Sequence, residues 1–453
     1  MTKRIEVSEV IDSATIRGIH IQVLAIGVLV SLVDGFDNQA LAFVAPALSR
    51  EWGLTPGALA PAFASGLVGM MFGSMLFGEV SDRVGRRFVF IVATASFGVI
   101  TLLTPLCGSV SALIALRFVG GLGLGGLPSV MVSLVSEYTP RRHRATFGNW
   151  AFIGIPAGGF LGGLIASYLI PHFGWQSVYW IGGALTLAIA AVAAAFLPES
   201  ILFTLGRKRN QIAARALLAR VAPDAASGED TVLVTGTASP PRTSVASAFR
   251  DGRATMTVLF WVAEFILLLG YYLLVNWTPT LLTRAGLPVE TAVLGSVALN
   301  IGGITFGLTA GWLCDRLGAR RVLCVIFLLA GLSLVAATQA GSSVPMLMTA
   351  IFVAGGAWIS GQAAMMVLIA DSYPAAIRGI ATGWALGIGR IGAIVSPAVV
   401  AIPLSLGWEV RQILLLPVLP ALAGAACILF ARPGRMEASV LVDGQQATLK
   451  VMP

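Results

Sequence analysis

Charge is what this 453-residue chain has least of. Asp, Glu, Lys and Arg together make up 11% of it, against about 25% in soluble domains, and the mean hydropathy is +0.88. That excludes an ordinary soluble globular fold. Cysteine is sparse as well. Cys107, Cys314, Cys324 and Cys427 are scattered without paired spacing, which argues against a disulfide framework and a zinc site. No phosphate-binding P-loop is present, so ATP does not drive this chain directly. No nucleophile–base pair or metal-ligand set is visible, which argues against an enzyme and against a bound metal. The first seventeen residues include Glu6, Glu9 and Asp12 and lack a cleavage-site pattern, so they read as a tail and not a signal peptide.

What is abundant is apolar sequence. No Asp, Glu, Lys or Arg occurs in Trp52–Gly78, Phe88–Leu116, Ala145–Pro198, Val322–Ala370 or Gln412–Ala431. A membrane-spanning helix needs about 20 apolar residues. Split at turn residues such as Pro105 to Ser109, Pro171 to Gly174 and Gly341 to Pro345, the chain predicts twelve helices. Their approximate spans are 18–47, 57–80, 87–106, 111–136, 146–169, 176–197, 256–278, 291–313, 321–339, 346–369, 379–400 and 409–431. With an even number of helices both termini share one side. That side collects 24 of the 29 Lys and Arg, the opposite side only Arg50, Arg284 and Arg411, and Arg117 and Arg390 fall inside helices. The positive-inside rule then places both termini in the cytoplasm. The net charge of +8 is a topology signal and requires no nucleic acid.

The chain also repeats itself. Gly78-Glu79-Val80-Ser81-Asp82-Arg83-Val84-Gly85-Arg86-Arg87 after helix two is echoed by Gly311-Trp312-Leu313-Cys314-Asp315-Arg316-Leu317-Gly318-Ala319-Arg320-Arg321 after helix eight, Asp82 matching Asp315. Glu137-Tyr138-Thr139-Pro140 with Arg144 is echoed by Asp371-Ser372-Tyr373-Pro374 with Arg378. Both echoes lie on the same side, so the halves are parallel and carry six helices each, an arrangement found in one class of secondary transporter. The expected fold is therefore an all-α polytopic membrane protein of two parallel six-helix halves. Its parts are an N-terminal tail (1–17), the first half (18–198), a central loop (199–255), the second half (256–431) and a C-terminal tail (432–453). Within the loop, Thr204–Arg220 reads either as a surface helix with Ile212, Leu217 and Leu218 on its apolar face or as a plain basic linker. Pro223 to Ser244 reads as flexible linker.

The rest is organised around Leu32-Val33-Asp34-Gly35-Phe36-Asp37-Asn38-Gln39, inside the first predicted helix. Two carboxylates three residues apart share a helical face, and one charge at bilayer depth costs at least ~2.5–3.5 kcal/mol on insertion scales. These acids mark a proton and substrate site; the competing interpretation is a structural ion pair. Arg117 and Arg390 are the cations at bilayer depth. Arg stays charged and its planar fork matches a carboxylate, so Arg390 suits a substrate carboxylate and Arg117 suits Asp34 or Asp37. Gly121 near Arg117, and Gly387 and Gly383 before Arg390, either open space beside each guanidinium or allow close helix packing. Glu264 is a third buried acid. Like charges crowded in a low-dielectric site favour uptake of a proton when an anion binds. Trp261, Tyr271, Tyr272, Trp358 and Gln362 are candidate pocket walls, and Asn300 is a candidate hydrogen-bonding group for cargo. Asp82 and Asp315, with Arg83, Arg86, Glu137, Arg144, Arg316, Asp371 and Arg378, are expected at an inner gate.

Gly78…Asp82-Arg83…Gly85-Arg86-Arg87 resembles the loop signature of the major facilitator superfamily, and Pro198-Glu199-Ser200 resembles another of its marks. Four stretches resemble the aromatic acid:proton symporter family within it. They are Asp34-Gly35-Phe36-Asp37, Arg117-Phe118 with Gly120 to Gly125, Asn276-Trp277-Thr278-Pro279-Thr280-Leu281-Leu282, and Gly387-Ile388-Gly389-Arg390-Ile391-Gly392-Ala393. The resemblance implies the major facilitator fold and a proton-coupled symporter that imports an aromatic carboxylate of the benzoate, hydroxybenzoate, protocatechuate or chlorophenoxyacetate type. It makes the helix-one acids and the two arginines the transport-critical set. Glu264 departs from the family, where an apolar or aromatic residue is expected. The implied setting is a bacterial inner membrane, with a monomer needing no cofactor beyond the proton gradient. Two rivals stand beside it: a proton antiporter exporting organic anions or drugs, and a transport-dead sensor of aromatic acids. Gly154-Ile155-Pro156-Ala157-Gly158-Gly159 only partly resembles the superfamily's antiporter pattern, which favours import.

Overall fold

A computed structural model of the chain describes residues 3–55, 57–206, 210–223, 231–234, 245–341 and 343–431. Twelve long helices carry it, each with a stretch apolar enough to cross a membrane, and the chain is a multi-pass membrane protein. They are α1 Gly18–Glu51, α2 Ala60–Val84, α3 Arg86–Leu103, α4 Val110–Tyr138, α5 Arg144–Phe173, α6 Gln176–Phe196, α7 Ala254–Arg284, α8 Val289–Leu317, α9 Ala319–Gln339, α10 Val344–Ser372, α11 Ala375–Ser405 and α12. The last runs Val410–Leu415 and resumes at Val418–Phe430 beyond Pro417. Several helices outrun their predicted apolar spans, because backbone hydrogen bonding continues into polar residues where hydropathy no longer marks it.

The turns show the repeat more clearly than the loop motifs do. Gly53 and Gly286, Gly85 and Gly318, and Gly174 and Gly407 all have positive φ, and each pair is 233 residues apart. A left-handed residue is strained with any Cβ, so each half stops its helices with glycine at matching places. Pro46 inside α1 and Pro279 inside α7 share that separation. Packing repeats too: α1 lies on α5 as α7 lies on α11, and α2 lies on α4 as α8 lies on α10.

Glycine sets how closely those helices approach. A Cβ at Gly158 would collide with the Leu32 carbonyl of α1, and one at Gly35 with the Ile155 carbonyl of α5. Neither obstacle is a side chain that can turn away. Gly158→Val is therefore expected to destabilise the protein by at least the ~1–3 kcal/mol of ordinary overpacking. Gly307→Val, where nothing lies within 4 Å, should leave stability nearly unchanged. Thermal unfolding of the purified variants compares the two.

The halves meet along α1 with α7, α2 with α11 and α5 with α8. At the end away from the termini they are closed: the Phe63 and Trp277 rings lie 5.8 Å apart, and a Cβ at Gly57 would stand 2.9 Å from that of Ala401. At the termini's end nothing lies within 4 Å of where a Cβ would sit on Gly307, Gly311, Gly379, Gly383 or Gly387. Seven-residue spacing puts Gly307 on the face of Asn300 and Gly383 on that of Arg390, the faces that meet the first half at mid-depth. A gap between the halves thus opens toward the termini.

The N-terminal tail is more structured than a tail. Strand β1 (Lys3–Glu6) pairs in parallel with β2 (Thr231–Val234), which lies within the stretch read as flexible linker. Val7, Val10 and Ile11 of the helix Val7–Ser13 join Leu218, Val221 and Leu233 in one apolar cluster with the first half. The helix Gln211–Val221 buries Ala214, Leu218 and Val221, while Ile212 is 84% exposed, so the apolar face is rotated from the expected one. Residues 224–230, 235–244 and the C-terminal tail lie outside the described residues.

Candidate functional site

Helix α1 carries Asp34, Asp37, Asn38 and Gln39 into the middle of the protein, and the last three each meet a different partner. Asp37, 3% exposed, takes a hydrogen bond from Arg117 Nη1 of α4 at 2.9 Å on Oδ2. A second guanidinium nitrogen reaches the Asp37 main-chain oxygen at 3.5 Å. Thr101 of α3 donates to Oδ1 at 3.4 Å while also bonding the Phe97 carbonyl. Arg117 thus pairs with Asp37 and not with Asp34. A small cavity surrounds this pair, lined among others by Phe63, Phe97, Thr101, Asn38 and, from the second half, Asn276. The Arg117 guanidinium lies 3.6–3.7 Å from the open side of Gly66, while Gly121 packs directly on the Gly66 carbonyl. Here the glycine near Arg117 serves close packing.

Asp34, 6% exposed, has neither hydrogen bond nor ion pair among the described residues. Its charge reaches Tyr271 and Tyr272 of α7, whose rings stand edge to face at 4.9 Å. The Tyr272 hydroxyl accepts from Asn38 Nδ2 at 3.5 Å and also feels Arg390. Arg390 of α11 is half-buried at the boundary of the halves, where its Nη1 donates to the Ser74 hydroxyl of α2 at 2.5 Å. No carboxylate pairs with it among the described residues. Among the described residues this region therefore holds one unpaired acid and one unpaired guanidinium, with Tyr272 near both and Tyr271 beside Tyr272.

Four other expected residues are engaged elsewhere. Asn300 is not free for a ring hydroxyl: its Nδ2 donates to Gln39 Oε1 at 2.8 Å and to the Ser296 carbonyl at 2.7 Å, and its Oδ1 accepts from Gln39 at 3.1 Å. This reciprocal pair joins α1 to α8 across the halves. Trp358, 1% exposed, fills the slot left by Gly270 and stands edge-on to Phe327 at 6.3 Å, inside the second half's core and away from the gap. Trp261 stacks on Trp384 at 5.9 Å and meets Phe249 of the central loop at 5.2 Å. Gln362 is engaged by Glu264, its Nε2 donating to Oε1 at 2.8 Å.

The loop motifs form bonds within one half. Arg86 pairs with Glu137, whose Oε2 accepts from Ser200 at 2.6 Å. Glu199 accepts from the Arg87 main chain at 3.1 Å. These contacts tie α3 and α4 to the Pro198-Glu199-Ser200 turn, and none crosses the gap. Arg316 covers the Trp312 ring at 4.2 Å; Asp315, Asp371 and Arg378 are exposed and make no ion pair among the described residues. Arg83 is exposed as well. The side chains of Asp82 and Arg144 lie outside what the structure describes. Ser74, Asn38, Gln39, Thr101 and Asn276 also line or brace the site, and the sequence alone gives none of them a role. Thr101 gives no signal there, since a hydroxyl bonded to its own helix is ordinary.

A family model described as Major Facilitator Superfamily matches residues 27–309 and 260–451. The 4-hydroxybenzoate transporter PcaK of Pseudomonas aeruginosa is 34% identical over 94% of this chain and 96% of its own length. The gallate transporter of Pseudomonas putida is 32% identical over 97% of each. The Escherichia coli xylose transporter XylE, in a partially occluded inward-open conformation, superposes with a TM-score of 0.70 at 16% identity over 91% of this chain and 97% of that one. That last likeness is one of fold. Together with the paired six-helix halves, these matches make the chain a transporter of the Major Facilitator Superfamily, belonging to the family of its aromatic acid transporters.

Proposed function

We propose that this protein is a proton-coupled symporter that imports an aromatic carboxylate across the bacterial inner membrane, with both termini in the cytoplasm. The observation that carries the reading is Arg390, a guanidinium in the gap whose only bonded partner among the described residues is the neutral Ser74 hydroxyl. A buried cation wants an anion, and a planar carboxylate matches its fork. Tyr271 and Tyr272 supply flat walls beside it. The gap opening toward the termini is then the cytoplasmic exit, and rocking of the halves alternates access.

Charge balance supplies the coupling. Asp34, Asp37, Arg117 and Arg390 sum to zero when all are ionised, and an incoming monoanion makes the sum −1. A proton on Asp34, the acid without a cation, restores neutrality in a site where net charge is costly. No cofactor is needed beyond the gradient, and a single chain with both halves works as a monomer.

Proteoliposomes test this. Labelled 4-hydroxybenzoate, gallate and benzoate are offered under an imposed inward pH gradient. The native protein should accumulate at least one of them, and a protonophore should abolish the accumulation. Asp34→Asn should still bind that acid yet equilibrate it without concentrating it. Efflux driven by inward protons would make the protein an antiporter, and binding without movement would make it a sensor.

A further inference from the structure

Each half presents a buried acid on its first helix and a partner on its fourth. In the first half these are Asp37 of α1 and Arg117 of α4. In the second half they are Glu264 of α7 and Gln362 of α10. The partner differs in charge, and that difference decides the state of the acid. An ionised Asp37 is balanced by Arg117, whereas an ionised Glu264 would face a neutral amide at 0% exposure.

The hydrogen bonds around Glu264 are incomplete in an informative way. Its Oε1 accepts from Gln362 Nε2. Its Oε2 and the Gln362 Oε1 are both buried and both without a hydrogen-bond partner among the described residues. Two oxygens of one acid–amide pair lack a donor, and a proton on Glu264 Oε2 is the donor that closes the pair. Helices α1, α8, α10, α11 and α12 pack on α7. Their charged groups at mid-depth are Asp34, Asp37 and Arg390. Asp37 is held by Arg117, Asp34 lies by Tyr271 and Tyr272, and the Arg390 guanidinium turns to Ser74. Its neighbour Gly389 packs close to Glu264, whose Cγ stands 2.9 Å from where a Cβ on that glycine would sit. The rest, Arg50, Glu51, Glu290, Asp315, Arg316, Asp371, Arg378 and Arg411, sit in the end turns of their helices, as does Arg284 on α7, and Arg253 caps the start of α7. None makes an ion pair with Glu264 among the described residues.

We propose that Glu264, closed by Gln362, is a second proton-binding site, in the C-terminal half, and that its proton is carried with the cargo. Gln362 is itself half-buried, so it stands between the enclosed acid and more open space, and a swing of its amide exposes Oε2. The O–H bond forms from the outer side and breaks to cytoplasmic water. This rests on the symporter reading: one proton on Asp34 neutralises a monoanion, and the second gives each cycle a net charge of +1.

Two measurements separate the outcomes. Infrared spectra of the purified full-length protein, with no cargo present, should contain a protonated-carboxyl carbonyl band that Glu264→Gln removes. Gln362→Leu keeps the carboxyl and should shift that band, which preserves the test if Glu264→Gln does not fold. In proteoliposomes, an inside-negative potential of ~59 mV should raise equilibrium accumulation about tenfold for one net charge, and Glu264→Gln should lose that response while still accumulating cargo under a pH gradient. A native protein without the band overturns the site, and accumulation indifferent to potential overturns the second proton. If no aromatic acid moves at all, the symporter reading fails and the infrared band still decides whether Glu264 binds a proton.

Discussion

Arg117→Gln should abolish accumulation and destabilise the protein by ~3–5 kcal/mol, while Arg117→Gln combined with Asp37→Asn should recover most of the stability and none of the transport. The first figure is what removing one partner of a buried ion pair costs, because the other charge stays buried. Asp37 is 3% exposed, and without Arg117 its carboxylate keeps, among the described residues, only the Thr101 hydroxyl at 3.4 Å. Asp37→Asn removes the stranded charge and leaves a neutral polar pair. Arg117→Lys should fall between, since an ammonium keeps the charge and loses the fork that also reaches the Asp37 carbonyl. Thermal unfolding of the four proteins in one detergent, beside uptake, reads both effects. A single Arg117→Gln as stable as the native chain would show that the pair holds nothing together.

This prediction was half legible in the sequence, and the missing half has a physical cause. Two carboxylates three apart and an arginine at bilayer depth in each half announce a buried charge site. Which acid the arginine reaches depends on how far α1 is rotated against α4, and residue spacing does not encode that rotation. The same limit governs Asn300 and Trp358. A polar or aromatic residue in a spanning helix points somewhere, and only its neighbours decide where. For Trp358 the deciding neighbour is Gly270, whose missing side chain leaves a slot in α7. For Asn300 it is Gln39, a second carboxamide that takes up its hydrogen-bonding capacity.

What was readable was everything governed by period, charge count and turn chemistry. Twelve apolar stretches became twelve helices, and the arginine-rich echoes marked two parallel halves. The turn glycines 233 residues apart carry that repeat in another form, since each is required by a positive φ. The tail was misleading for the opposite reason. Residues 3–13 have too few apolar groups to announce a fold alone, and they become ordered by lending Val7, Val10 and Ile11 to a cluster built by Leu218, Val221 and Leu233.

Arg390→Ala should weaken binding of the transported acid by ~30- to 4,000-fold, the range that corresponds to ~2–5 kcal/mol for losing one partner of a buried charge-assisted contact. Arg390→Lys should lose less, because a point charge attracts a carboxylate without matching both oxygens. Ser74→Ala provides the internal control. The Ser74 hydroxyl holds Nη1 at 2.5 Å and steadies the guanidinium without supplying its charge, so its loss should cost about 1 kcal/mol, the worth of one hydrogen bond, or about fivefold. Equilibrium binding to the purified variants measures all three without requiring turnover. The order Ala worse than Lys worse than Ser74→Ala would place the cargo carboxylate on Arg390, with its ring toward Tyr271 and Tyr272. Native affinity in Arg390→Ala would move the anchor to Arg117, the other guanidinium at this depth. Asp37 would then have to give up its partner each time cargo binds, and protonation of Asp37, in place of Asp34, would become the event that admits the anion.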